Sequence, residues 1–95
     1  MSEGIKFDSE KLRYSLLPQG TVKQVVEVLE FGARKYAPDN WKHVPEAHVR
    51  YYDASLRHVE AWRGGELRDE ETGKHHLAHA VCCLLFLIWL DESAA

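Results

Sequence analysis

The sequence has few cysteines, and the two that it has are adjacent. Cys82 and Cys83 lie next to each other inside an apolar run. Neighbouring cysteines rarely bridge each other, and a secreted scaffold of this size normally carries several spaced pairs. We therefore expect two reduced core residues in a cytoplasmic protein.

Long apolar runs, a signal peptide and an excess of basic charge are also missing. The longest apolar stretch covers residues 80–90, about half of the roughly 20 residues that a membrane-spanning helix needs. The N-terminal residues lack the charged-then-apolar pattern of a signal peptide. Acidic residues outnumber basic ones, 15 to 12, for a net charge of −3, which argues against general nucleic-acid binding. The sequence thus predicts no membrane and no nucleic-acid polymer as a partner.

Ninety-five residues fit a single domain, 1–95. Apolar side chains at helical spacing and the turn residues between them divide the chain into a polar arm over 1–20 and helices over 21–37, 45–63 and 74–91. These helices are bounded by Thr21 as an N-cap, Pro38, Pro45 and Gly64.

The third predicted helix is apolar on every side beyond His79. Such a helix must be buried all round, and two short helices of the same chain cannot enclose it. We therefore predict an all-α fold, a small three-helix unit that forms an oligomeric helical bundle. The expected assembly is a homo-oligomer, a dimer or higher.

Two carboxylates on the first predicted helix are candidate metal ligands. Glu27 and Glu30 are three residues apart and therefore project from one helix face. Such a pair can share a hard cation such as Mg²⁺, which prefers oxygen ligands. The alternative is a solvated face, with Glu27 paired to Lys23 and Glu30 paired to Arg34.

A second acidic cluster precedes a group of histidines. Four carboxylates lie within residues 66–71, and a divalent cation would relieve their repulsion; a solvated acidic loop is the alternative. His76 and His79 share a helix face, and His79 interrupts an apolar run, where an unsatisfied polar ring is costly. Both a functional pocket and a satisfied core histidine remain open. His58, on the second predicted helix, is either a further pocket member or a packing residue.

Cations and aromatic rings occur together in two polar segments, the N-terminal arm and the region around Pro38. Rings can stack on a base and cations can meet phosphates, although a loop tryptophan is more often a core anchor. No glycine-rich phosphate loop and no nucleophile triad is present. The candidate residues for an anionic, aromatic ligand are Lys11, Arg13, Lys35, Tyr36, Asn40 and Trp41.

An ordered series of short motifs resembles a known family. The motifs are KFDS, KLR and LLP within residues 6–18, FGARKY at 31–36, NW at 40–41, RH…AW…GE…D within 57–69, and HLAHA at 76–80. Their order resembles the small phage dATP/dGTP diphosphohydrolase family, which is similar to the MazG-like all-α NTP pyrophosphatases. The resemblance extends over residues 6–80.

The resemblance implies a metal-dependent pyrophosphohydrolase that cleaves purine dNTPs, dATP or dGTP, to dNMP and pyrophosphate. It implies Mg²⁺ or Mn²⁺ held by an ExxE and an ExxD motif, which here are Glu27, Glu30, Glu66 and Asp69. In this interpretation the acid–base or phosphate contacts come from His58, His76 and His79. The phosphates are contacted by Lys11, Arg13 and Lys35, and the base by Tyr36, Asn40 and Trp41.

Two residues depart from the pattern that the family leads us to expect. Gln24 lies one turn before Glu27, where a carboxylate is expected, and Glu10 replaces a usual glycine. If Gln24 replaces a ligand, the site binds one metal fewer or binds a nucleotide without cutting it. The alternative function is therefore a phage-type oligomeric sponge that sequesters a nucleotide signal without hydrolysis.

Overall fold

The computed structural model describes residues 2–94, and within them it contains helices and no strand. The prediction of an all-α fold is confirmed. A short 3₁₀ helix at Tyr14–Leu16 precedes the first α-helix, and another at Asn40–His43 lies between the first and second α-helices. The three α-helices are α1 (Thr21–Lys35), α2 (Ala47–Arg63) and α3 (His76–Ser93).

Some helices begin at other residues than predicted because of local hydrogen bonds. Thr21 is the first residue of α1 and not its N-cap, because its hydroxyl donates back to the carbonyl of Pro18 at 2.7 Å. Gly20 occupies the cap position in the left-handed region, with φ of 85°. The third helix begins two residues later than predicted, since His75 caps it by accepting the backbone N–H of Leu77 on its Nδ1.

Small side chains on α3 form the centre of the fold. Ala78, Ala80, Cys82 and Cys83 are all buried, and they let α2 pack along most of α3 while α1 makes a smaller contact. Both cysteines are unbridged, as the sequence predicted. Burial raises the pKa of the Cys82 thiol to about 12, so this residue stays protonated and acts as a core side chain.

The opposite face of α3 is open in a single chain. Leu84 is 48% exposed and Ile88 is 59% exposed, and Val81, Leu85 and Trp89 are exposed as well. One copy therefore does not enclose this helix. Its 18 residues and mean hydropathy of 1.3 also meet the length and composition of a membrane-spanning helix, a criterion that the core helices of soluble proteins satisfy too.

The chain exposes more surface than a compact monomeric protein of the same mass. Its accessible area is 7835 Å², whereas a monomeric protein of 10.9 kDa exposes about 5,600 Å². The Cα radius of gyration is 17.0 Å, against about 12 Å for a compact chain of this length. The exposed arm before α1 and the open face of α3 both contribute to this excess.

The contact between α1 and α3 depends on Val28, which packs against Ala78 and Cys82 and is 8% exposed. Val28→Ala should lower the free energy of unfolding by about 2 kcal/mol, because two buried methyl groups are lost and a cavity remains. Val22→Ala, in the same helix but 45% exposed, is the matched control and should change it by less than about 0.5 kcal/mol. Urea unfolding measures both; equal effects would contradict this account of the core.

Candidate functional site

A cavity of about 770 Å³ lies between α1, α2, α3 and the loop that connects the first two helices. It contains one histidine of the predicted site, His79. The four predicted substrate residues around Pro38 also line it: Lys35, Tyr36, Asn40 and Trp41. The structure thus brings together two groups that the sequence placed in separate segments.

Trp41 has the role of a core anchor. Its ring stacks on Phe86, with centroids 4.5 Å apart and planes 12° apart, and it meets Trp89 edge-on at 5.0 Å. Its backbone carbonyl accepts the hydroxyl of Tyr51 at 3.2 Å. Because this ring is already stacked, the exposed ring of Tyr36 at the cavity's edge is freer to meet a ligand.

Three cationic side chains line the cavity, and two of them were missed from the sequence. Arg50 and Arg57 are seven residues apart on α2 and therefore on the same face. That spacing is the signal that could have identified them. Lys35 joins them from α1 and bonds Glu71 at 2.9 Å. The hydrogen bond with Glu71 is the main reason that the pKa of Lys35 is raised.

Lys11 and Arg13 are not part of this cavity. They lie in the exposed arm and border a separate shallow depression, together with Lys6 and Asp8. In this chain the arm therefore does not bring its cations to the cavity that contains Lys35.

The three predicted catalytic histidines lie together where α2 meets the start of α3. The Nδ1 atoms of His58 and His76 are 2.9 Å apart. The rings of His58 and His79 are stacked, with centroids 4.5 Å apart and planes 13° apart. His76 is only 5% exposed, so the cluster reaches into the interior and joins the cavity through His79.

Residues 66–73, the acidic connection between α2 and α3, fold back onto these histidines. Asp69 Oδ1 accepts the backbone N–H groups of Glu71 and Thr72, both at 3.0 Å. The Thr72 hydroxyl in turn lies 2.7 Å from His79 Nε2. Glu66 Oε2 lies 3.5 Å from His76 Nε2. The segment is therefore an ordered turn against the cluster, and not a freely solvated loop.

The local electrostatics favour neutral rings and an ionised carboxylate. Burial lowers the pKa of His58, and the neighbouring His79 and His76 lower it further. Burial also lowers the pKa of His79. Burial alone would raise the pKa of Asp69, but hydrogen bonds from the Thr72 and Glu71 backbone, together with His79, lower it overall. At neutral pH the rings of His58 and His79 can therefore accept a proton or bind a cation.

The predicted carboxylate ligands do not converge within one chain. Glu30 forms the expected surface pair with Arg34 at 3.6 Å, whereas Glu27 pairs with Lys74 at 3.3 Å and not with Lys23. Among residues 2–94, one set of three potential ligand atoms lies within 4.8 Å of one another, and it consists of His58, Asp69 and His76. Of the four carboxylates predicted to hold metal, this set includes only Asp69.

Comparison with known proteins assigns the chain to a family. The profile of the family described as "dATP/dGTP diphosphohydrolase, N-terminal" matches residues 1–95. The chain belongs to this family. A dATP/dGTP diphosphohydrolase of Salmonella phage PMBT28 is 40% identical over 87 residues, which is 92% of this chain and 29% of that relative. The chain therefore spans less than a third of the relative's length. No solved structure matches it.

The histidine cluster predicts a loss of stability in mild acid. Because the pKa values of His58 and His79 lie below the usual 6.5 in the folded chain, the unfolded chain binds more protons below that pH and acid favours unfolding. This stability is complete above about pH 6.5 and is lost as the pH falls through the folded pKa values.

Urea unfolding of the metal-free protein between about pH 7 and pH 5 measures this effect. The free energy of unfolding should fall over the range, and His79→Gln should make the fall shallower. His43→Gln is the control, since His43 is exposed and outside the cluster. A free energy of unfolding that rises on acidification would contradict the account.

Proposed function

We propose that this chain is a metal-dependent pyrophosphohydrolase domain that binds a purine dNTP in the cavity and cleaves it to dNMP and pyrophosphate. The phage relative is named a dATP/dGTP diphosphohydrolase, which supports the reaction class. The observation that carries the proposal is the cavity itself, where three cations, an exposed aromatic ring and one histidine of the cluster, His79, meet. Its volume, about 770 Å³, lies within the range of small-ligand sites.

The cations are arranged to hold a polyphosphate. Arg50 and Arg57 line the cavity from one face of α2, and Lys35 lines it from α1. Guanidinium groups form strong, bidentate hydrogen bonds with phosphate oxygens. The acidic residues Asp39, Asp53 and Glu71 share the same walls, so the cavity's own formal charge is close to balanced. A highly charged triphosphate would thus need an additional cation.

His79 is the residue best placed to move a proton. It lines the cavity, its lowered pKa keeps the ring neutral near pH 7, and Thr72 fixes its Nε2. A neutral imidazole can take the proton of a water that attacks the α-phosphorus. The bond to the bridging oxygen then breaks, and pyrophosphate leaves with dNMP as the other product.

The resemblance to the pyrophosphatases implies Mg²⁺ or Mn²⁺ on the ExxE and ExxD carboxylates, and the residues of a single chain do not fit that site. Glu27 and Glu30 are held by Lys74 and Arg34, and they do not approach Asp69 as a ligand group. We therefore assign these carboxylates no catalytic step. A divalent cation remains part of the proposal, and its requirement is measured directly in the assay below.

The sponge is the second candidate, and Gln24 is the observation that favours it. Its side-chain oxygen is buried and makes no hydrogen bond among residues 2–94. An amide here replaces the carboxylate that a hydrolytic member is expected to have. A cavity of the same shape would then bind a nucleotide without cutting it.

A nucleotide panel with Mg²⁺ or Mn²⁺, with products separated by chromatography, tests the enzyme against the sponge. We expect dATP or dGTP to give dNMP and pyrophosphate, and no product when the cation is chelated. His79→Ala should lower turnover by about 10²-fold or more, while affinity for a non-hydrolysable analogue falls much less. Arg57→Gln should weaken that affinity, whereas Arg63→Gln, at the end of α2 and outside the cavity, should not.

Two outcomes of these experiments would reject parts of the proposal. Stoichiometric binding, with intact nucleotide recovered after denaturation and no product across the panel, would reject the hydrolase and support the sponge. Binding that is unaffected by Arg57→Gln would reject the cavity as the site in either case.

We also propose that a second copy of the chain covers the open face of α3. The accessible area exceeds that of a compact monomer by roughly 2,200 Å² per chain, part of it in the arm, and a standard interface takes about 800 Å² from each partner. The face is formed by leucine, isoleucine and tryptophan side chains, which is the composition of a homodimer core.

Light scattering at micromolar concentration should therefore show a dimer or a larger assembly. Leu84→Glu should dissociate it, because an unpaired charge would be buried in the interface. Leu12→Glu makes the same change at an exposed position in the arm and should leave the assembly intact. A folded monomer for the native chain would refute the proposal. Binding of that monomer to lipid vesicles would identify the face as a membrane contact instead.

A further inference from the structure

We propose that His58, Asp69 and His76 bind a first-row transition-metal dication of the Zn²⁺ type. Each side chain offers one ligand atom, and the three atoms lie within 4.8 Å of one another. They come from three parts of the chain, namely α2, the acidic connection and the first turn of α3. This site differs from the carboxylate site that the resemblance implies, and it does not depend on the proposed hydrolysis.

The surroundings of the buried His76 ring are the first sign of a metal ligand. The His76 side chain is 6% exposed, and its Nε2 has no hydrogen-bond partner among residues 2–94. The carboxylate of Glu66, at 3.5 Å, is too far for a good hydrogen bond. If a metal binds Nδ1 of His76, Nε2 carries the ring proton and faces this carboxylate, which is the outer-shell partner that metal-bound histidines commonly have. A shift of about 0.5 Å would complete that hydrogen bond and remove the cost of a buried polar atom without a partner.

The second sign is the way in which Asp69 is held. Among residues 2–94, all of its side-chain hydrogen bonds are accepted by Oδ1, from the N–H of Glu71, the N–H of Thr72 and the hydroxyl of Thr72. The other oxygen, Oδ2, is left to bind a cation. Hydrogen bonds that fix a ligand from behind are a general feature of metal sites in proteins.

The spacing of the two imidazoles is close to that of a metal-bound pair. Nitrogen atoms at 2.0–2.1 Å from a tetrahedral zinc ion lie about 3.3 Å apart. The Nδ1 atoms of His58 and His76 are 2.9 Å apart, so they need to separate by only about 0.4 Å. With three protein ligands, one position remains open for water or a ligand, as in catalytic zinc sites.

The ligand types determine the class of metal. Mg²⁺ prefers oxygen ligands in an octahedral arrangement and gives up its waters reluctantly. Imidazole nitrogen suits zinc and the other later transition metals. Two histidines and one carboxylate, partly shielded from solvent, therefore favour Zn²⁺ over Mg²⁺.

Calorimetric titration of tag-free, metal-stripped protein tests the site, with ZnCl₂ and MgCl₂ as separate probes and no nucleotide present. We expect one zinc ion per chain, bound at least about 100-fold more tightly than Mg²⁺. Asp69→Asn and His76→Gln should each weaken zinc binding by at least about 10-fold. His43→Gln removes an exposed histidine outside the cluster and should leave zinc affinity unchanged, as should Glu27→Gln.

Unchanged zinc affinity in Asp69→Asn would refute the site. The asparagine keeps an oxygen that can accept the hydrogen bonds of the turn, so this variant keeps the test open if His76→Gln fails to fold. Substitution of Co²⁺ adds a spectroscopic measurement: visible absorption typical of tetrahedral coordination should appear in the native chain and be lost in Asp69→Asn. Because no nucleotide is used, failure of zinc binding and failure of hydrolysis are separate results.

Discussion

The structure depends on the hydrogen bonds made by the polar side chains at the start of α3. This helix is apolar over most of its length, yet His76 and His79 enter the interior in its first turns. Buried imidazoles are costly without partners, and here they find them in His58 of α2 and Thr72 of the acidic connection. The same contacts fix α2 against α3 and fold the connection over their junction, so the fold and the candidate site share one set of interactions.

This arrangement explains why the cavity and the histidine cluster are adjacent. His79 belongs to both, because one side of its ring stacks on His58 and the residue also lines the cavity. Arg57 precedes His58 on α2 and faces the cavity, so the helix that supplies a ring to the cluster also supplies a cation for a ligand. His79 therefore links the cavity that contains the cations to the histidine cluster.

The sequence predicted the parts that depend on local pattern and left open those that depend on tertiary pairing. Helical periodicity located all three helices, and the i, i+3 spacing placed His76 and His79 on one face. It did not show that Glu27 pairs with Lys74 across the fold, or that Asp69 turns back to the histidines through Thr72. Spacing gives the face of a helix, but the partner of that face is set by packing. For this reason the sequence groups these carboxylates by their ExxE and ExxD motifs. In the folded chain, Asp69 lies beside two histidines instead.

The central claim is that the histidines and Asp69, and not the paired carboxylates, are where this chain binds a cation. The most direct measurement is an anomalous difference map from crystals of the protein grown with Zn²⁺. The account predicts a peak between His58, Asp69 and His76, with the density of one further ligand beside it. A peak coordinated by Glu27 and Glu30, with the histidine cluster empty, would contradict it.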